Sequence, residues 1–167
     1  MSSRRQFLTI VATGSVLAPL AAWVGRAGQS AGPQRTFPVQ RPDAEWRQRL
    51  SADAYHVLRE RGTERPYSSP LHADHRPGRF HCAGCDAPVF DAAAKFDSQT
   101  GWPSFVRPLE GSAVATALDR RDYQVRTEVL CAQCGGHLGH VFPDGPPPTG
   151  LRYCLNGVAL RFEPDRA

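Results

Sequence analysis

Two C-x2-C pairs constrain this chain of 167 residues more than any other feature of its sequence. Cys82 and Cys85 form the first pair, Cys131 and Cys134 form the second, and 45 residues lie between the pairs. Each pair can turn two thiolates toward one ion, and tetrahedral zinc needs two such turns that face each other. The separation exceeds that of a compact zinc finger. We therefore expect distant hairpins that a sheet brings together around one structural zinc ion.

The sequence leaves two other uses of these cysteines open. An exported protein can form disulfides, although a bridge within a C-x2-C turn is strained and usually redox-active. A dithiol redox motif expects a helix after its first cysteine, and Ala87-Pro88-Val89 does not supply one. Zinc, disulfides and redox pairs make different predictions for the geometry of the four sulfur atoms.

The hydrophobic pattern after Arg79 is typical of antiparallel strands. Apolar residues alternate with polar or small ones in segments that Gly, Pro and Asp turns separate. These segments are Phe80–Cys82, Val114–Leu118, Tyr123–Val129 and Val158–Phe162, and residues 144–150 form a loop. The predicted fold is mainly β, with twisted antiparallel sheets and short N-terminal helices.

Two short helices are predicted before the sheets. Asp43 can cap a helix that runs through Leu50, and Ser51 can cap a second helix over residues 52–61. Gly62 fits the C-terminal stop of the second helix because glycine adopts the left-handed conformation at low cost.

The first 32 residues have the layout of an export signal. Arg4 and Arg5 precede an uncharged run over residues 6–25. The arginine pair with Gln6-Phe7-Leu8 resembles a twin-arginine motif, which predicts export to the periplasm. Twenty residues can also span a bilayer, so an uncleaved membrane anchor stays open. We divide the chain into this signal or anchor (1–32), a Gly- and Pro-rich linker (33–42) and one domain (43–167).

Composition indicates an ordinary globular domain, with 41% hydrophobic and 22% charged residues. The chain has 20 basic and 16 acidic residues, but three of the arginines lie in residues 1–32, which hold no acid. The body therefore carries 17 basic against 16 acidic residues, which argues against a nucleic-acid partner. We expect a monomer.

Cys154 is the cysteine that lies outside the two pairs. A lone cysteine is more often a small buried hydrophobic residue than a nucleophile. Strand alternation, however, would place Arg152, Cys154 and Asn156 on one face. A guanidinium about 4–6 Å away would favour the thiolate and lower a pKa of about 8.5 by up to about two units. His137 and His140, separated by a flexible Gly, add acid and base groups nearby.

Three blocks resemble the signatures of type B methionine sulfoxide reductases. They are GWPSF at 101–105, HLGHVF at 137–142 and GLRYCLN at 150–156. The resemblance extends from about Asp43 to Phe162 and includes both cysteine pairs. It implies the zinc-containing β fold of that family, one structural zinc held by the two pairs, and peptide-methionine (R)-S-oxide reductase activity. The substrate would be oxidised methionine in proteins or peptides, as in repair after oxidative stress.

The resemblance also implies catalytic roles. Cys154 would attack the sulfoxide sulfur and become a sulfenic acid. His137 or His140, together with Asn156, would bind and protonate the sulfoxide oxygen. Arg152 would support the thiolate.

Substrate-binding residues follow from the same resemblance. Trp102, assisted by Phe142, would form an apolar wall for the S-methyl group, and Asp144 would form hydrogen bonds in the loop after the histidines. Many members carry a second, resolving cysteine before the Gly-Trp pair, and this chain has Thr100 there. We therefore expect a thioredoxin-like or other external thiol to reduce the sulfenic acid of Cys154.

Two other functions, and a protein that keeps the reductase fold without its activity, stay open at this point. A zinc-ribbon-like binding module with a buried Cys154 would explain the zinc and the β structure. It would not explain the presence of Arg152, His137, His140 and Asn156. A thiol–disulfide protein would need a second reactive cysteine, which zinc ligation removes.

Overall fold

The computed structural model describes residues 35–111 and 113–166. The predicted signal or anchor at 1–32 and the first two residues of the predicted linker lie outside this part. Two short α-helices come first, α1 (Asp43–Arg49) and α2 (Ala52–Glu60). Within the described residues, no helix has the length and apolar character needed to cross a bilayer.

The helix ends confirm one predicted cap and correct two other details. The Ser51 hydroxyl accepts a hydrogen bond from a backbone N–H in the first turn of α2, as predicted. Asp43 is the first residue of α1 rather than its cap, and Pro42 occupies the cap position. The left-handed residue after α2 is Arg61, with φ of 61°, and not Gly62. Arg61 accepts this conformation because its guanidinium binds Glu128 across the molecule.

Nine strands in the described part form two antiparallel sheets, which confirms the predicted fold class. They are β1 (Gly78–Cys82), β2 (Pro88–Asp91), β3 (Lys95–Phe96), β4 (Ser104–Phe105), β5 (Val114–Asp119), β6 (Arg126–Cys131), β7 (His137–Phe142), β8 (Arg152–Leu155) and β9 (Leu160–Pro164). The smaller sheet has the order β2-β1-β9, and the larger has the order β3-β4-β8-β7-β6-β5. β6 begins at Arg126 and not at the predicted Tyr123, which is fully exposed in the preceding turn.

The two sheets pack through aromatic side chains. Phe80 and Phe90 from the smaller sheet meet Phe105 from the larger one, with ring centroids 5.0 Å and 4.7 Å apart. All three side chains are fully buried, so their burial is a main hydrophobic contribution to the fold. Because side chains alternate along a strand, the opposite face of the larger sheet is left to polar residues.

A short turn carries the chain from the larger sheet to the smaller one. Residues Gly157–Ala159 form a 3-10 turn between β8 and β9, so the predicted strand start at Val158 is wrong. The Glu64 carboxylate accepts the backbone N–H groups of Gly157 (2.6 Å) and Val158 (2.9 Å). These bonds satisfy amides that have no partner within the turn itself.

The N-terminal end of the described chain docks on the second cysteine pair. The Val39 N–H donates to the Gln133 carbonyl at 2.8 Å. The Phe37 ring packs so closely on Gly135 that a Cβ there would lie 2.4 Å from a ring carbon. The part of the predicted linker that the structure describes has no helix or strand. These contacts hold it against the domain.

Candidate functional site

The four paired cysteines meet at one point. Their Sγ atoms lie within 4.8 Å of one another, with 3.7 Å between Cys82 and Cys134 and 3.5 Å between Cys85 and Cys131. A tetrahedron with Zn–S bonds of about 2.3 Å has sulfur–sulfur edges of about 3.8 Å. A disulfide would need about 2.05 Å, and all of these cysteines are free thiols in the structure. The donor set and its spacing fit one structural zinc, as predicted.

Each cysteine pair ends in a left-handed residue that closes its turn. The residues are Asp86, with φ of 63°, and Gly135, with φ of 69°. Their backbone N–H groups donate to the carbonyls of Cys82 (2.8 Å) and Cys131 (2.9 Å). Asp86 takes this conformation in the first turn, as Asp does more readily than most residues.

Cys154 lies in the middle of the polar face of the larger sheet. In β8 it is directly opposite His140 of β7 and Ser104 of β4. Directly opposite residues on antiparallel strands project from the same face, so these three side chains are neighbours. The Thr100 hydroxyl lies 4.0 Å from Sγ of Cys154.

The β4 side of Cys154 is lined by hydroxyl groups. The Ser98 hydroxyl lies 2.8 Å from that of Thr100 and 2.7 Å from that of Ser104. The other four cysteines lie at the zinc site, so the described residues place no second thiol beside Cys154.

Arg152 is held beside Cys154 by two neighbours. Its guanidinium donates twice to the Asp144 carboxylate, at 2.9 Å and 2.7 Å. It also lies 4.6 Å from the ring centroid of Phe142. The paired arginine lowers the pKa of Asp144. Asp144 thus orients Arg152. The hydrogen bonds predicted for Asp144 in this loop are made with Arg152.

The pKa of Cys154 differs in direction from the sequence prediction. Burial raises the pKa of this thiol above its ordinary value, and the positive charge of Arg152 opposes burial only in part. The expected lowering by up to about two units treated the site as well solvated. Because Cys154 is half-buried, desolvation of the thiolate outweighs the attraction of the guanidinium.

His137 is fixed by a buried carboxylate that the sequence analysis did not single out. Its Nδ1 lies 2.7 Å from Glu128 Oε1, and both side chains are fully buried. Nε2 of His137 is buried and has no hydrogen-bond partner in the described part of the chain. Burial alone would raise the pKa of Glu128, but its bonds to His137 and Arg61 outweigh burial and lower the pKa to about 2. Glu128 is therefore a carboxylate that orients the imidazole.

His140 has a similar partner at the end of β5, two strands away in the sheet. Its Nε2 lies 2.9 Å from Oδ2 of Asp119. The Arg121 guanidinium donates one hydrogen bond to each oxygen of this carboxylate, at 2.9 Å each. These bonds with arginine, and then the bond with His140, lower the pKa of Asp119. Burial lowers the pKa of His140 more than Asp119 raises it. The rings of His137 and His140 are 5.2 Å apart, so the two imidazoles form one cluster.

The sequence pattern around Glu128 predicts a solvent-facing side chain, which is wrong. Glu128 and Arg126 fall in the polar phase of β6, which ordinarily marks a solvent-facing side. Here that phase faces the histidines, because Glu128 is paired directly with His140 across the sheet. Arg61 gave no sequence signal, since its guanidinium reaches Glu128 from the end of α2, 67 residues away in the chain.

Asn156 is placed differently from the prediction. β8 ends at Leu155, so strand alternation does not extend to Asn156. Its side-chain amide donates to the Leu138 carbonyl at 3.1 Å, and its Oδ1 accepts the Glu64 N–H at 2.9 Å. Both ends of the buried amide are thus bonded to backbone. The geometry supports a positioning role and not contact with the sulfoxide oxygen.

Trp102 is anchored through the same segment. Its indole N–H donates to the Glu64 carbonyl at 3.3 Å. No ring contact joins Trp102 to Phe142 within the described residues; Phe142 instead lies 6.3 Å from His140 between ring centroids. Phe142 therefore lies beside His140 and Arg152. Trp102 is held separately, by its hydrogen bond to Glu64.

Comparison with known proteins finds a matching family model and similar relatives. The SelR domain matches residues 50–164. A peptide methionine sulfoxide reductase MsrB of Agrobacterium fabrum is 53% identical over 126 residues, covering 75% of this chain and 93% of the relative. Proteins of the same name are 55% identical over 120 residues in Pseudomonas putida (72% and 90% covered) and 55% identical over 126 residues in Bradyrhizobium diazoefficiens (75% and 91% covered).

Proposed function

This chain belongs to the SelR-domain family of peptide methionine sulfoxide reductases, and from that membership we propose that Cys154 reduces the R epimer of methionine sulfoxide in peptides and proteins. The observation that carries the proposal is the position of Cys154, directly opposite His140 on one sheet face and beside the guanidinium of Arg152. A zinc-ribbon-like binding module would not need this cluster, and the relatives favour the enzyme.

The reaction moves one oxygen atom from substrate to enzyme. Sγ of Cys154 attacks the sulfoxide sulfur, whose S–O bond breaks as methionine leaves. The bond between Sγ and the substrate sulfur breaks as the oxygen passes to Sγ, and the thiol proton ends on that oxygen, so Cys154 becomes a sulfenic acid. The sulfur of the substrate is reduced by two electrons and the sulfur of Cys154 is oxidised by two.

Before substrate binds, the proton that the reaction transfers is on Sγ of Cys154. Burial raises the pKa of Cys154 and lowers that of His140, so at neutral pH both groups are uncharged before substrate binds. Neutral His140 can accept the thiol proton as Sγ attacks and pass it to the sulfoxide oxygen, where negative charge develops. His137, whose buried Nε2 has no hydrogen-bond partner among the described residues, is a second group that can serve this oxygen.

Aromatic and charged side chains around Cys154 would orient the substrate. Trp102 would contact the S-methyl group, and Phe142 would close the side next to His140. Arg152, held by Asp144, keeps positive charge next to the reacting sulfur. Asn156 would act by fixing the chain that follows Cys154.

Turnover of the separated R and S epimers, with dithiothreitol as reductant, tests the proposal. We expect the full chain to convert only the R epimer and Cys154→Ser to be inactive while it retains one zinc. A folded, zinc-loaded protein that converts neither epimer would contradict the assignment and favour the binding module.

We propose that the protein is exported and monomeric, and that a thioredoxin-like or other thiol reduces it. Arg4, Arg5 and the uncharged run after them support export through the twin-arginine route. A reporter fused to residues 1–34 should reach the periplasm, and Arg4→Lys with Arg5→Lys should keep it inside; unchanged export would argue against this route. Light scattering should give about 18 kDa or less, and a mass twice as large would contradict a monomer.

A further inference from the structure

We propose that a polar cleft beside Thr100 binds the thiol that regenerates the enzyme, and that it favours a small thiol with a protonated amine. The proposal rests on the function above, because it concerns oxidised Cys154. The cleft has a volume of about 520 Å³ and lies between residues 96–100 and residues 144–146, with Arg152 also in its wall.

One wall of the cleft lies next to the reactive sulfur. Thr100 lines the cleft, and the Thr100 hydroxyl lies 4.0 Å from Sγ of Cys154. The cleft shares Arg152 with the proposed substrate site, but its lining includes none of Trp102, Phe142 and His140. A thiol in the cleft would therefore approach Cys154 from the side away from these three groups.

The direction of approach follows from the chemistry of the second half-reaction. A thiolate displaces hydroxide from a sulfenic acid along the line of the S–O bond, because the incoming and leaving atoms occupy opposite sides of the sulfur. The oxygen arrives from the substrate on the side of β7, where His140 lies. The incoming sulfur must then come from the side of β4, where Ser98 and Thr100 line the cleft.

The reaction balances with two thiols. The first thiolate forms a bond to Sγ of Cys154, the S–O bond breaks, and the hydroxide takes a proton to leave as water. The incoming thiol releases this proton when it ionises, and the neutral histidine cluster, on the same side as that oxygen, can pass a proton from solvent to it. A second thiol molecule then attacks the mixed disulfide, returning Cys154 as a thiol and releasing the oxidised small-molecule disulfide.

Charge on the cleft decides the class of thiol. Asp144 and Arg152 neutralise each other through two hydrogen bonds. Asp97 is exposed and has no salt bridge within the described residues, so it adds one negative charge. The nearby Lys95 amine is directed to the His72 carbonyl at 2.8 Å. An ammonium group on the thiol would be attracted to Asp97, and a carboxylate would be repelled.

The test separates the two half-reactions. Cys154 of the full chain is converted to the sulfenic acid with one equivalent of hydrogen peroxide, and its reduction is timed with cysteamine, 2-mercaptoethanol and 3-mercaptopropionate. Asp97→Asn removes the charge but keeps an oxygen that can accept the Gln99 N–H, as Asp97 does at 2.8 Å. Asp165→Asn, an exposed change near the C-terminus, is the matched control.

We compare the rate at which cysteamine reduces the sulfenic acid of Cys154 with the rate for 3-mercaptopropionate. We expect Asp97→Asn to lower the ratio of these two rates about threefold. The rate with 2-mercaptoethanol and the single-turnover yield of methionine should be unchanged. Asp165→Asn should leave every rate unchanged. An unaltered ratio would overturn the cleft assignment. So would a higher KM for the sulfoxide with no change in the ratio. Because peroxide forms the sulfenic acid without substrate, a failure to reduce methionine sulfoxide would be a separate result that overturns only the proposed function.

Discussion

Gly139 and Cys154 approach each other so closely that the site depends on the missing side chain. A Cβ on Gly139 would lie 2.1 Å from the Cys154 carbonyl oxygen and 2.9 Å from Cα of Leu155. Both contacts are with backbone, which cannot turn away as a side chain can. The glycine between the histidines therefore permits β7 and β8 to pair, and it is not the flexible joint that the sequence suggested.

Gly139→Ala should displace Cys154 and abolish most activity. We expect kcat/KM to fall at least 100-fold, since small misplacements of reacting groups are costly. Zinc content and circular dichroism should show whether the fold persists. Gly111→Ala is the control, because a Cβ there meets nothing within 4 Å and the variant adds only the strain of a positive φ of 78°. Equal losses in the two variants would argue against the close approach as the cause.

Glu128→Gln should impair His137 without touching substrate. The amide keeps one oxygen that can accept from Nδ1, but its NH2 group cannot accept from Arg61, so the pairing that holds this oxygen against His137 is lost. We expect kcat to fall about 10- to 100-fold, less than the loss of a general acid–base group itself, because Glu128 acts only through His137, and the pH profile to change shape. The exposed change Glu110→Gln should do neither. A fall in kcat with an unaltered pH profile would indicate a purely structural role.

Glu128 also predicts how stability varies with pH. Its pKa is lowered from the usual 4.5 to about 2, so the folded state binds fewer protons than the unfolded chain in that range. The stabilisation is present above pH 4.5 and is lost as pH falls toward 2. Glu128→Gln should cost about 3 kcal/mol of unfolding free energy near neutral pH. In urea titrations, this difference should shrink as pH falls from 6 to 3; a constant difference would contradict the lowered pKa.

Arg152→Met should make Cys154 less reactive at a given pH. Burial already raises the pKa of this thiol, and the positive charge of Arg152 is the main opposing effect. Removing that charge should raise the pKa by about one to two units at an effective dielectric near 20. The pH midpoint of iodoacetamide alkylation reports the change, and exposed Arg107→Met is the control. A midpoint that stays in place would show that Arg152 does not act on the sulfur.

Zinc ligation predicts the number of reactive thiols. The zinc-loaded, folded protein should show one thiol, Cys154, and the unfolded protein with chelator should show all five. The corresponding values for Cys154→Ser should be zero and four. We expect a chelator to unfold the domain, because metal binding contributes folding free energy. Two disulfides and no metal would contradict the zinc site.

The sequence predicted those features that its local spacing encodes. The cysteine pairs, the β architecture, the cap at Ser51 and the cluster of Cys154 with the histidines follow from motifs a few residues long. Glu128 and Arg61 could not be found this way, since their contact depends on how α2 lies against the sheet. The direction of the Cys154 pKa shift also required the structure, because burial is a property of the packed site.

The position of β8 in the larger sheet has a consequence for synthesis of the chain. β8 lies between β4 and β7, and both of these precede it in sequence. A nascent polypeptide that has left the ribosome as far as residue 150 already holds its zinc ligands and both imidazoles, yet its larger sheet is still two separate pieces. The strand that joins them also carries the reactive sulfur. Completion of the sheet and installation of the nucleophile are therefore a single event, and an interrupted chain lacks both.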